Sequence, residues 1–320
     1  MQRKHDISLS VVLPVFNEAK NLPILLDRLT ATLADLKVSY EIVAVDDGSK
    51  DDSFEVLKGL RAKEPRLKIV HFQCNFGQTA ALSAGIEHAQ GDIIVTIDSD
   101  LENDPKDIAR LLAKMDEGYD VVSGWRRDRW QGSFFTRKVP SVAANWLISK
   151  LTGVYLHDYG CTLKAYRSDV IKGVRLYGEM HRFIPAYAAW QGGRVAELPV
   201  SYAPRLHGKS NYGFGRMPRV LLDLVVIVFL HRYMNRPMHF FGGWGLLSLS
   251  GGIFAGFAAL ALRVLGIKHI VDTPLPVLSA LLIIVGVQLV LFGVIGEMLM
   301  RTYYESQGNR PYRIKEVVFE

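Results

Sequence analysis

Asp98, Asp100 and Glu102 stand at alternate positions just after the apolar run Ile93-Ile94-Val95, in the stretch Thr96-Ile97-Asp98-Ser99-Asp100-Leu101-Glu102-Asn103-Asp104. A β-branched apolar run of that length reads as a buried strand of a parallel sheet, and ligands of such sheets bind just past the carboxyl ends of the strands. Extended backbone would aim the three carboxylates to one side. Like charges so close repel one another unless a cation sits among them, and a hard divalent ion, Mg²⁺ or Mn²⁺, suits carboxylate oxygens and bridges them to phosphates. The competing reading is an acidic helix start, with Asp104 and Pro105 as cap and first-turn proline.

Other segments carry matching chemistry. Pro14-Val15-Phe16-Asn17-Glu18 offers a rigid turn whose amide and carboxylate can hydrogen-bond a base or ribose, although Asn17 or Glu18 could equally cap a helix. Asp46-Asp47-Gly48-Ser49 again puts acid at a strand end, and its bland alternative is a turn and helix cap. Gly124-Trp125-Arg126-Arg127-Asp128-Arg129-Trp130 is basic and aromatic, suiting a membrane interface or a phosphate, against a plain surface loop. His157-Asp158-Tyr159-Gly160-Cys161 supplies a candidate catalytic carboxylate, Asp158, beside a glycine that permits close approach of a ligand. Arg205-Leu206-His207-Gly208-Lys209-Ser210-Asn211-Tyr212 has the makings of a basic lid over phosphates, or of an ordinary basic loop.

These residues need a scaffold, and the hydrophobic pattern supplies one. Strands are expected at 9–13, 41–45, 68–72, 93–95, 120–123 and 197–202. Helices follow Leu22 to Leu33, Phe54 to Leu60, Thr79 to Ala89, Pro105 to Met115 and Val139 to Leu151. Three strand–helix units in the first 90 or so residues predict a doubly wound, mostly parallel α/β sheet. The helix from Thr79 is rich in Ala and Gly, which would let it lie close to a strand. A dinucleotide-binding GxGxxG is absent from the first turn.

The 320 residues are 49% hydrophobic, and the apolar excess lies after about position 219. No Asp, Glu, Lys or Arg occurs from His239 to Leu262 or from Thr273 to Gly296. Each stretch exceeds the ~20 residues needed to cross a bilayer, so two transmembrane helices are expected. The segment from Arg219 to Arg236, broken by Asp223, His231 and Arg232, reads as a helix lying at the membrane surface. The expected organisation is a catalytic domain over 1–218, an interfacial amphipathic helix over 219–238, a transmembrane hairpin over 239–300 and a basic tail over 301–320. The polar start, Met1 to Asp6, predicts no removable leader and a catalytic domain facing the cytoplasm. The basic residues flanking the hairpin agree with a multi-pass protein of the inner, cytoplasmic membrane. A net charge of +6 without a nucleic-acid motif fits anionic lipid headgroups. Two distant cysteines, Cys74 and Cys161, imply neither a disulfide framework nor a zinc site.

Taken in order, Val12-Leu13-Pro14-Val15-Phe16-Asn17-Glu18, Val45-Asp46-Asp47-Gly48-Ser49, Asn75-Phe76-Gly77, the Ala/Gly helix, Gly91-Asp92 and Asp98-Ser99-Asp100 resemble family 2 glycosyltransferases of the polyprenyl-phosphate type. The group includes dolichol-phosphate mannose synthase-like enzymes, and the two C-terminal spans resemble its bacterial, bactoprenol glucosyltransferase branch. The resemblance implies a GT-A fold and a donor nucleotide sugar held by Pro14, Phe16, Glu18, Val45, Asp47, Asp98 and Ser99. It further implies phosphate contacts from Arg126, Arg205 and Lys209, and Mg²⁺ or Mn²⁺ on Asp98, Asp100 and Glu102. Asp100, Asp158, Arg205 and Lys209 are then the expected catalytic set. Asp158 matches a Ser-Asp-x-x-Gly-like segment in which His157 replaces the serine. Gln191-Gly192-Gly193-Arg194 is followed by Val195 where processive synthases carry tryptophan, which argues against a polymerase. The implied reaction is inverting transfer of a hexose, glucose from UDP-glucose, to a polyprenyl phosphate, with a homo-oligomer as a further implication. The alternatives are a GDP-mannose donor, a non-phosphate lipid acceptor, or a nucleotide-binding membrane regulator without activity.

Overall fold

The computed structural model describes residues 7–127, 129, 139–172, 174, 180–204, 224, 226, 228–229, 233, 237–267, 269 and 272–307. The chain divides into two compact units, 1–225 and 226–320. In the first, β1 (Leu9–Val15), α1 (Leu22–Asp35), β2 (Tyr40–Asp46), α2 (Ser53–Lys63), β3 (Leu67–His71), α3 (Gln78–His88) and β4 (Ile93–Thr96) alternate as the apolar runs require. After α4 (Asp107–Asp116) come β5 (Val121–Trp125), α5 (Val139–Thr152), β6 (Lys164–Arg167), α6 (Ser168–Ile171), a 3₁₀ turn (Met180–Phe183), α7 (Ile184–Trp190) and β7 (Val195–Pro199).

The seven strands are ordered β3-β2-β1-β4-β6-β5-β7. β1 pairs in parallel with both β2 and β4, so the chain's direction of winding reverses beside β1 and opens a crevice at the carboxyl ends of those strands. β6, which the hydrophobic pattern did not announce, runs antiparallel between β4 and β5. Both faces of the sheet are covered. Leu9, Val11, Leu13 and Val15 enter one core with Leu22, Leu25, Leu29, Ile108 and Leu111, while Val12 enters the other with Val43, Val45, Leu82 and Ile94. The small residues of α3 have the purpose expected of them: a Cβ at Gly85 would lie 2.3 Å from Val12 Cγ1.

The second unit contains α8 (Pro237–Val264) and α9 (Leu275–Gln307). Pro237–Val264 and Leu275–Leu299 are long and apolar enough to cross a membrane. They pack through glycine: a Cβ at Gly245 would meet the Gly286 carbonyl at 2.9 Å, and one at Gly286 would meet the Gly245 carbonyl at 2.9 Å. Ser248 and Ser279 add hydrogen bonds to Leu282 O and Gly252 O of the opposite helix. The surface-helix expectation over 219–238 falls mainly on residues outside those described.

Candidate active site

Two loops at the carboxyl edge of β1 and β2 are latched into one surface. Asn17, with φ +58, donates its N–H to Ser49 Oγ at 2.9 Å, and its side-chain oxygen accepts from Lys50 N–H at 2.8 Å. Glu18 N–H donates to Ser53 Oγ, and Ala19 N–H to Asp51. Asn17 and Glu18 thus join the two loops to each other, and the Glu18 carbonyl accepts from Leu22 N–H at the start of α1. Gly48 (φ +64) fits only without a side chain, because a Cβ there would lie 2.4 Å from the Cys74 carbonyl carbon. Asp47 accepts from Phe76 N–H, Gly77 N–H and Asn75 Nδ2 at 2.7, 2.9 and 3.0 Å, drawing a third loop to the same place. Burial raises its carboxyl above the ordinary range despite the two backbone donors. Pro14 closes the group, its carbonyl accepting from Ser99 Oγ at 2.9 Å.

The acidic segment itself is not the extended run that alternation suggests. β4 ends at Thr96, residues 99–100 form a turn, and Leu101 takes φ +63. Leu101 is buried in the core, and that burial turns the chain inward. Asp100 closes the turn by accepting Glu102 N–H at 3.0 Å. Asp98 is fixed from two sides, accepting from Gln78 Nε2 at 2.7 Å and from Thr162 Oγ1 at 2.6 Å. Burial, with the charges of Asp100 and Glu102, pushes its carboxyl up to about 6, against the hydroxyl of Thr162 and the charge of Arg126. Among the described residues no three His, Cys, Asp or Glu side chains are grouped so as to hold a metal ion, and the expected triplet of Asp98, Asp100 and Glu102 is not brought together as a three-carboxylate site, Glu102 being turned to Arg126. Mg²⁺ is usually bound by one or two carboxylates together with substrate phosphates. A pair of crowded, mutually repelling carboxylates at a ligand edge fits such an ion.

Arg126 joins this segment to Asp158. Its Nε donates to Asp158 Oδ2 at 2.8 Å, Nη2 to Oδ1 at 3.3 Å, and Nη1 to Glu102 Oε2 at 3.4 Å. Gly160 N–H donates to Asp158 Oδ1 at 3.0 Å. Burial would raise the Asp158 carboxyl, but Arg126, aided by Arg129 and Lys164, holds it below the usual range. Asp158 is an ionised anchor for Arg126.

The glycosyl transferase family 2 model matches residues 10–175, the span that holds all of these groups. The chain belongs to glycosyl transferase family 2. Relatives match nearly end to end: dodecaprenyl-phosphate galacturonate synthase of Rhizobium johnstonii is 41% identical over 98% of this chain and 93% of its own. Undecaprenyl-phosphate 4-deoxy-4-formamido-L-arabinose transferase of Aeromonas hydrophila is 38% identical over 98% of this chain and 95% of its own. Among solved structures, glucosyl-3-phosphoglycerate synthase from Mycobacterium tuberculosis, in complex with Mn²⁺ and uridine-diphosphate-glucose, superposes with a TM-score of 0.54 at 20% identity, over 69% of this chain and 79% of that one. That likeness shows the GT-A fold.

In this family 2 chain the crevice gathers Pro14, Glu18, Asp47, Asp98, Ser99, Asp100, Glu102, Arg126 and Asp158 through the bonds above. Phe16 belongs to the latched loop, and Val45 is buried beneath it on β2. Arg205 and Lys209 lie outside the described residues. Ala203, two positions before Arg205, donates its N–H to Glu102 O at 2.9 Å. Sequence reasoning missed Gln78, Thr162, Lys164 and Glu197. Gln78 directly follows Asn75-Phe76-Gly77, and that position was the available signal. Thr162 and Lys164 lie beside or on β6, a covered strand where polar spacing carries no information, and Glu197 lies on the part-exposed edge strand β7 outside every motif.

Proposed function

We propose that the chain transfers a sugar from a nucleoside diphosphate to the phosphate of a polyprenyl lipid at a membrane surface, with inversion at the anomeric carbon. The observation that carries this reading is the crevice beside β1. There Asp98, Asp100 and Glu102 adjoin an arginine that is itself locked by Asp158, in a chain whose two long relatives are named for polyprenyl-phosphate sugar transfer. The latched loops of Pro14–Glu18 and Asp46–Ser53 would hold the nucleotide. Asp98 and Asp100, with Glu102 beside them, would hold Mg²⁺ or Mn²⁺ together with the donor's phosphates, and the ion would supply electrostatic stabilisation to the leaving diphosphate. Arg126 presents a fixed guanidinium to the same phosphates, and Arg205 and Lys209 would add theirs. A phosphate monoester has a second pKa of ~6 and is already a nucleophile at neutral pH, so no general base is required. Asp158, ionised and saturated with donors, suits the task of holding Arg126.

The bactoprenol-branch resemblance favours glucose as the sugar, whereas the relatives are named for galacturonate and 4-deoxy-4-formamido-L-arabinose. The reading therefore commits to the acceptor and the reaction class, with UDP-glucose and UDP-galacturonate as the donors to compare. Membranes containing the protein are incubated with labelled donor, divalent ion and undecaprenyl phosphate, and the lipid is extracted. Label in a mild-acid-labile lipid, lost on adding a chelator and absent with folded Asp100→Asn, is the expected result. Undiminished turnover by Asp100→Asn would overturn the metal assignment, and the absence of label from every nucleotide sugar would overturn the reaction.

A further inference from the structure

Glu197 lies on β7, opposite Ser123 of β5, outside the crevice and outside every motif of the sequence. Its side chain is only 12% exposed and collects an unusual set of donors. His157 N–H reaches Oε1 at 2.8 Å and Oε2 at 3.1 Å, Asp158 N–H reaches Oε1 at 3.1 Å, and His157 Nδ1 pairs with Oε2 at 2.7 Å. From the other side, Asn145 Nδ2 of α5 donates to the His157 carbonyl at 2.6 Å. The backbone at His157 and Asp158 is thus gripped at two successive N–H groups and at the His157 carbonyl. The ring of His157 stacks on Trp125, with centroids 4.2 Å apart and planes 18° from parallel, and Trp125 directly precedes Arg126. One carboxylate on an edge strand therefore fixes both halves of the Arg126–Asp158 clamp: the loop that bears Asp158 and, through the His157 ring, the strand end that bears Arg126.

We propose that Glu197 is a positioning residue for glycosyl transfer, acting through His157 and Asp158 to set where the Arg126 guanidinium points. This rests on the transfer reaction proposed above. A carboxylate that satisfies two consecutive backbone N–H groups and a side chain at once leaves its loop few alternative conformations, and a displacement of about 1 Å in a reacting constellation can cost ~10²-fold in rate. The loops latched by Asn17, Glu18 and Asp47 stand on β1 and β2 with hydrogen bonds of their own, so the number of nucleotide-binding sites reports folding, whereas kcat per site reports where Arg126 points.

The test uses the full-length protein in membranes with labelled UDP-sugar and undecaprenyl phosphate, and counts competent sites by nucleotide-binding stoichiometry. Glu197→Ala is expected to lower kcat per nucleotide-binding site by about 10- to 100-fold, and Glu197→Gln, which retains an oxygen for the two backbone N–H groups, to restore most of it. The deciding readout is a double-mutant cycle: in an Asp158→Asn background, Glu197→Ala is expected to cost less than about threefold more, because the group it positions is already impaired. A purely structural role would lower the number of binding sites and multiply fully with Asp158→Asn. Full multiplicativity, or unchanged kcat in Glu197→Ala, overturns the proposal. If Glu197→Ala fails to bind nucleotide, the cycle is run with His157→Phe, which leaves the backbone bonds and removes only the Nδ1 contact; a full-rate His157→Phe, or one whose loss multiplies fully with Asp158→Asn, overturns it equally. Wild-type protein that transfers no sugar refutes the reaction itself, and is distinguished from these outcomes by its own null.

Discussion

The ammonium of Lys164 is buried on β6 and donates to the Tyr159 carbonyl at 3.0 Å. Burial, with Arg182 and Arg126 nearby, lowers its pKa from 10.5 to about 8, while Cys161 and Asp158 act in the opposite sense. Below about 8 the lysine is charged in both folded and unfolded chains, and folding bears the full desolvation cost. Between about 8 and 10.5 the unfolded chain binds a proton that the folded chain does not, so stability contributed by this residue rises with pH across that window. The linked free energy is on the order of 3 kcal/mol. Unfolding midpoints of wild type and Lys164→Met, compared at pH values from 7 to 11, should therefore converge or cross in favour of wild type as pH rises. A constant difference would show that Lys164 is not desolvated. The same residue shows the limit of sequence at this scale. Asp98, Asp100, Arg126 and Asp158 announce themselves by type, but the pairing of Arg126 with a carboxylate 32 positions away, or the burial of a lysine in Leu163-Lys164-Ala165, depends on which strands become neighbours.

At the scale of elements, Glu41 fastens the end of the sheet opposite the crevice. Its Oε1 accepts from Ser10 Oγ of β1 at 2.6 Å and from Gln90 N–H at 2.5 Å, and its Oε2 pairs with Lys68 Nζ of β3 at 2.5 Å. Burial raises its carboxyl, but the bonds from Lys68, Ser10 and Gln90 outweigh that and leave it below 4.5. A depressed folded pKa means stability that is present above the unfolded value and lost as pH falls through the folded one. Glu41→Gln is expected to cost ~1–3 kcal/mol at pH 7, and the gap to wild type should close as the pH drops below 4.5. A gap that persists in acid would locate the loss in packing. The strands Glu41 joins were legible because β-branched apolar runs spaced by helical patterns leave little choice but a parallel sheet. β6 was not: four residues, Lys164 to Arg167, enter antiparallel after a long excursion from β5, and only the gap between β4 and β5 defines them as a strand. The extended reading of 98–102 failed for a related reason, since the burial of Leu101 outweighed the local alternation.

The whole molecule is made of two units with opposite surface logic. The first buries large aliphatic side chains on both faces of its sheet and has a complete core of its own. The second does the reverse: α8 and α9 meet through Gly245, Gly252 and Gly286, while Leu246, Phe254, Ile284 and Leu291 point outward. Small residues inside and large apolar ones outside is the packing expected of helices that cross a membrane, where close backbone contact would replace hydrophobic burial as the source of association. A polyprenyl phosphate cannot leave the membrane, so a catalytic unit without its helices must find the acceptor by diffusion to the bilayer. A chain ending at Arg236 is therefore expected to bind the nucleotide donor as the full chain does, yet to transfer sugar to membrane-embedded polyprenyl phosphate at least about tenfold more slowly, through loss of effective concentration. Donor binding by the truncated chain, together with lipid-extractable label from both forms, checks this. Equal transfer by the two forms would mean that the hairpin has no part in presenting the acceptor. Loss of donor binding would mean that the first unit, despite its own core, depends on the second to fold.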